Sequence, residues 1–110
     1  MNLSCSLEAA ASSGSVQFTF AVTNDGSDPV DLNFSSAQTH DVAVLSDGAE
    51  VWRFSDGQMF AQMLQSETLA PGETVTYEAA WSDPDPGEYE AVAELATRDA
   101  GCEARATFSV

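Results

Sequence analysis

Apolar residues recur at every second position over most of the chain, and no stretch sustains the period of an amphipathic helix. Leu3, Cys5 and Leu7 alternate with polar neighbours, as do Val16, Phe18, Phe20 and Val22, and then Val30, Leu32 and Phe34. Turn residues, Asn24-Asp-Gly26 and Asp28-Pro29, separate the later sets, so each reads as a half-buried strand. Val42 and Val44 predict another strand and Val51-Trp-Arg-Phe54 a short one, with tight turns at Ser46-Asp-Gly48 and Ser55-Asp-Gly57. Pro71-Gly72 opens a strand with Val75, Tyr77, Ala79 and Trp81 on one face, and Asp83-Pro-Asp-Pro-Gly87 closes it. Residues 88–97 and 102–110 form the last pair, around Asp99-Ala-Gly101, with Cys102, Ala104, Ala106, Phe108 and Val110 facing one way.

With no helix long enough to cross between parallel strands, this spacing predicts an all-β fold. The expected form is an immunoglobulin-like antiparallel β-sandwich of about seven to nine strands. Gly87-Glu88-Tyr89 places a tyrosine just after a turn at the start of a late strand. There it can hydrogen-bond across the corner of such a sandwich or serve as ordinary core. Residues 58–68 lack alternation and read as a loop or a single helical turn, and a long irregular loop on a rigid sandwich is a place for function.

The length of 110 residues predicts a single domain over 1–110. Three basic residues against 18 acidic ones give a formal charge of −15, which excludes nucleic acid as a partner. No apolar run approaches the length of a membrane span, which excludes membrane insertion. All three cations are Arg (Arg53, Arg98, Arg105) and Lys is absent, a surface suited to molar salt, where the Debye length shrinks to roughly 3 Å. The acids are spread along the chain rather than blocked into a tail, so the pattern reads as the surface of a halophile's protein, archaeal in origin. The N-terminus has neither a basic nor an apolar segment of a secretory signal, which predicts a cytoplasmic location. The alternative is one domain of an exported or cell-surface protein, in which Asn2-Leu-Ser4 and Asn33-Phe-Ser35 would be glycosylation triplets.

The chemistry of catalysis is sparse. His40, followed by Asp41, is the one imidazole, no Gly-x-Ser-x-Gly elbow is present, and His40 reads as a strand-edge residue; no catalytic residue is expected. Two cysteines 97 positions apart and one histidine do not make a zinc site. Asp25-Gly-Ser-Asp28 and Asp83-Pro-Asp-Pro-Gly87 lack calcium-loop spacing, so no metal and no cofactor are expected. Cys5 and Cys102 each lie on the apolar face of a terminal strand, and two readings stand: a disulfide closing nearly the whole chain, or two buried thiols.

Several segments come in a particular order: Phe18-Thr-Phe-Ala-Val-Thr-Asn24, Val30-Asp-Leu-Asn-Phe-Ser-Ser-Ala-Gln38, His40-Asp-Val42 and Val51-Trp-Arg-Phe-Ser55. Met59-Phe-Ala-Gln62, Leu69-Ala-Pro-Gly-Glu73, Trp81 and Pro86-Gly-Glu-Tyr89 follow. In this order and spacing, over residues 16–95, the chain resembles the BsuPI-type intracellular proteinase inhibitors. The resemblance implies a small immunoglobulin-like domain that inhibits an intracellular subtilisin-type serine protease; a monomer that is not an enzyme is expected. The two cysteines and the strand 102–110 lie outside the resemblance. A loop held rigid by the sandwich and entering the protease cleft would explain inhibition. Met59 and Phe60 are expected to be partly packed, and Met63 and Leu64 to be the exposed anchors. The alternative function is that of a structural or adhesive immunoglobulin-like domain.

Overall fold

The computed structural model describes residues 3–56, 59–60, 62–97 and 101–110. Among them are nine strands and no helix: β1 (Leu3–Ser12), β2 (Ser15–Asn24), β3 (Val30–Phe34), β4 (His40–Ser46) and β5 (Ala49–Arg53), then β6 (Gln65–Leu69), β7 (Thr74–Ser82), β8 (Glu88–Leu95) and β9 (Glu103–Ser109). Every pairing is antiparallel. The strands form a three-stranded sheet β1-β2-β7, a four-stranded sheet β5-β4-β8-β9 and a ribbon β3-β6.

The alternation read from the sequence sets which side of each sheet is buried. Val16, Phe18, Phe20 and Val22 of β2 are fully buried, and Val42, Val44, Ala91 and Ala93 oppose them from the second sheet. Rings interlock across the gap, Phe18 stacking on Trp52 and meeting Phe108 edge-on, with centroids 5.9 and 5.6 Å apart. Two sheets sharing one apolar interior in this way make a β-sandwich.

Turn chemistry follows the sequence. Asp47 and Gly48 both have positive φ, 50° and 82°, the combination of a type I′ hairpin between β4 and β5. At Ala70-Pro-Gly-Glu73, Glu73 N donates to Ala70 O at 2.9 Å and Gly72 has φ 80°, which makes a type II turn; the Glu73 carboxylate also accepts from Ala70 N. Asn24, fully buried, donates Nδ2 to Asp28 O and Leu69 O and accepts Gly26 N, tying the end of β2 to the ribbon. Tyr89 does both things expected of it. Its hydroxyl donates to Asp85 O at 2.6 Å, and its ring packs on Trp81 and Phe108.

Two expectations are corrected. Residues 65–68, placed in the irregular stretch, form β6 together with Leu69; its inward positions before Leu69 are Gln65 and Glu67, so no apolar alternation announces it. His40 begins β4, an inner strand, and is buried rather than at a sheet edge. Gly57, Asp99, Ala100, Arg98 and Asn2, which figured in two predicted turns, the charge count and one glycosylation triplet, lie outside the described residues.

Candidate functional site

Among the described residues of the connection from β5 to β6, three carry large exposed apolar side chains. Met59 is 98% exposed, Leu64 86% and Met63 53%, whereas Phe60 is half-buried. Met59 therefore departs from the expected packing. Of the two neighbours Phe60 is the less exposed. Leu64 also borders a groove of ≈ 400 Å³ lined by Asn33, Phe34, Gln65 and Ser66.

Both ends of this loop are tied down. At its start Asp41, 7% exposed, accepts from Val42 N, Ser55 N and Ser55 Oγ and from Arg53 Nη1, the last two at 2.8 Å. Arg53 also donates Nη2 and Nε to Glu50 Oε1, at 2.6 and 3.1 Å, and these bonds to Glu50 and then to Asp41 raise its pKa, keeping it charged. Phe54 N donates to Val42 O, and its ring stacks on His40 at 5.2 Å.

His40 lies between Phe54 and Tyr77, whose ring is 5.1 Å away on the other side. Nε2–H donates to Glu78 O at 2.8 Å, so Nδ1 is the nitrogen that accepts from Thr39 Oγ1 at 2.9 Å. Burial pushes the His40 pKa down, opposed in part by the Glu78 carbonyl and by Asp41. Tyr77 in turn donates its hydroxyl to Glu67 Oε2 of β6 at 3.2 Å; burial first, and Glu67 second, raise its pKa. Gln65 Nε2 donates to Ser36 O at 3.0 Å, holding the far end of the loop. One contiguous set of contacts, Asp41–Ser55, His40–Phe54, His40–Tyr77 and Tyr77–Glu67, thus spans both stems of the loop.

Sequence reasoning missed Asp41, which stood out only as the neighbour of His40. The available signal was an acid inside the otherwise apolar run of β4, a position where charge survives only with partners. His40 and Asp41 do not form a catalytic pair, because both imidazole nitrogens are engaged elsewhere and the carboxylate is taken up by Arg53 and Ser55. Among the described residues, no group of three or more His, Cys, Asp or Glu is placed to hold a metal ion, and no helix is long and apolar enough to cross a membrane. Cys5 and Cys102 are brought together, with Cα atoms 6.2 Å apart and the sulfurs bonded.

Among solved structures, the sporulation control protein Spo0M from Bacillus subtilis is similar over 98% of this chain and 48% of its own. The identity is 17% and the TM-score 0.53, a likeness of fold. Beta-glucosidase from Kluyveromyces marxianus aligns with 99% of the chain and 14% of its own at 12% identity and TM-score 0.49. R. palustris CsgH aligns with 94% and 90% at 15% identity and TM-score 0.45. The chain thus spans about half of the Spo0M length and a seventh of the beta-glucosidase. The comparison with curated proteins returned no match. The profile of the BsuPI family, described as intracellular proteinase inhibitor, matches residues 3–100, nearly the whole sequence, and the chain belongs to that family.

Proposed function

We propose that this chain is a monomeric, non-enzymatic inhibitor that presents Met59, Met63 and Leu64 to the cleft of a subtilisin-type serine protease in the cytoplasm of a halophile. One observation carries the reading: Met59, Met63 and Leu64 stand exposed on a loop whose two ends are fastened by partly buried hydrogen bonds and ring contacts. Exposed methionine and leucine cost stability in water and are accounted for by a partner surface that covers them. Fastening the stems before the encounter removes part of the ordering entropy that a free loop would lose on binding. Subtilisin-type pockets accept large apolar side chains, which these are. The absence of Lys and the charge of −15 support the halophile assignment.

Titration against a salt-tolerant subtilisin-type protease in molar salt tests the proposal. Loss of protease activity near one-to-one, with the chain uncleaved, is expected, and Met59→Asp or Leu64→Asp should weaken inhibition at least about tenfold, as loss of an interface anchor does. Full inhibition by both variants would rule out the loop, and no inhibition by the parent chain would rule out the function. The Cys5–Cys102 bond favours a second reading, a structural or adhesive domain of an exported protein that occupies an oxidising compartment.

A further inference from the structure

β1 and β9 are the outer strands of the two different sheets, and they pack side by side. Each has a ladder on one side only, β1 with β2 and β9 with β8, and no ladder joins them among the described residues. At this seam the two sheets meet strand against strand without a hydrogen-bonded ladder among the described residues. Cys5 of β1 and Cys102, immediately before β9, bridge it, and Leu95 N donates to Cys102 O at 3.1 Å.

Several features make β9 dependent on that bridge. Its inward side chains are Ala104, Ala106 and Phe108, all only half-buried, so it contributes little apolar area beyond one ring. Next to the bridge, Glu103 stands directly opposite Glu94 in the β8–β9 ladder, a like-charge pair that weakens the pairing. The ion pairs of Arg105 with Glu90 and Glu103 are exposed and worth little. The family match ends at residue 100, so β9 lies beyond the segment whose pattern defines the family. Both cysteines are half-buried rather than sealed in the core, within reach of a small thiol.

We infer that Cys5–Cys102 is a thiol-responsive clasp that decides whether β9 stays seated against β1. A dithiol reductant opens it: one thiolate attacks a cysteine sulfur to give a mixed disulfide, and the second thiolate displaces the protein thiol. The reductant leaves as a cyclic disulfide, and two electrons and two protons pass to Cys5 and Cys102. With the clasp open, β9 separates from the seam first, uncovering the side of Phe18 and Tyr89 that Phe108 covers. β2, β4 and β8, whose inward faces form the buried core, remain in place.

The test compares amide hydrogen exchange and denaturant unfolding of the whole chain in molar salt, with and without dithiothreitol, thiols being counted by alkylation and mass. Reduction is expected to free two thiols, to speed exchange in 103–109 and along β1, and to leave β4 protected. It should also raise the unfolding constant about a hundredfold or more, because the bond closes a loop of 97 residues. The Cys5→Ser, Cys102→Ser double variant should behave as the reduced protein does and not respond to dithiothreitol. Unchanged exchange in 103–109 on reduction, protection in β4 that falls as far as in 103–109, or two thiols that stay free after exposure to oxidised glutathione would each overturn the clasp.

Discussion

At the scale of single residues, Asp41 and His40 carry more than their positions suggest. Four donors converge on the Asp41 carboxylate, so Asp41→Ala leaves Arg53 and Ser55 N without it. An expected loss of about 1–2 kcal/mol, read from denaturant midpoints, follows from removing a buried acceptor whose donors lie at a partly exposed site. Under the proposed function, inhibition should weaken in parallel at a temperature where the variant is still folded. His40 makes a pH prediction of definite sign. Its folded pKa lies below the unfolded value, so the unfolded chain binds a proton that the folded one refuses. Its contribution to stability is therefore complete above about pH 6.5 and is lost as pH falls through the folded pKa. His40→Gln should flatten the fall in unfolding free energy between about pH 7 and pH 5 relative to the parent. Carboxylate titration is common to both proteins, so an identical slope would show that His40 accepts its proton without penalty.

At the scale of elements, several of the segments that carry the family resemblance are construction joints. Asn24, Leu69-Ala-Pro-Gly-Glu73, His40-Asp41 and Tyr89 each satisfy backbone groups where a strand ends. Gly72 shows what such a joint requires. Its φ of 80° suits glycine, and an added Cβ would meet no atom within 4 Å, so Gly72→Ala tests backbone conformation without a clash. A loss of about 1–2 kcal/mol is expected from the left-handed conformation alone, measured by thermal or denaturant unfolding. The strands around these joints were legible because one face of each is buried and side chains alternate along a strand. β6 was not legible, because Gln65 and Glu67 occupy its inward positions and are accommodated there by Ser36 O and the Tyr77 hydroxyl, groups distant in sequence.

At the scale of the whole molecule, fifteen net negative charges are distributed over 6245 Å² of surface on a body with a radius of gyration of 14.6 Å. In dilute buffer at about 0.01 M the Debye length, roughly 30 Å, exceeds that radius, so the charges repel one another across the protein. At about 1 M the length is roughly 3 Å and the repulsion is confined to neighbours. The unfolding midpoint should therefore rise steeply from dilute buffer to molar sodium chloride, by more than the rise seen for a neutral sandwich of similar size. A flat response would remove the basis for assigning the chain to a saline interior.

The order of apolar and polar residues determined by itself that this chain is all-β, which side of most strands is buried and where the hairpins turn. Those properties are local, since alternation and left-handed glycine conformations act within a few residues. The family pattern was equally present in the sequence, because it consists of the same core and turn residues. Three things belonged to tertiary structure alone: that Met59 is exposed while Phe60 is half-buried, that Asp41 has Arg53 and Ser55 as partners, and that Cys5 meets Cys102 across a seam. Each depends on which distant strands become neighbours, and a strand's own sequence specifies its buried face without specifying the strand that will cover it.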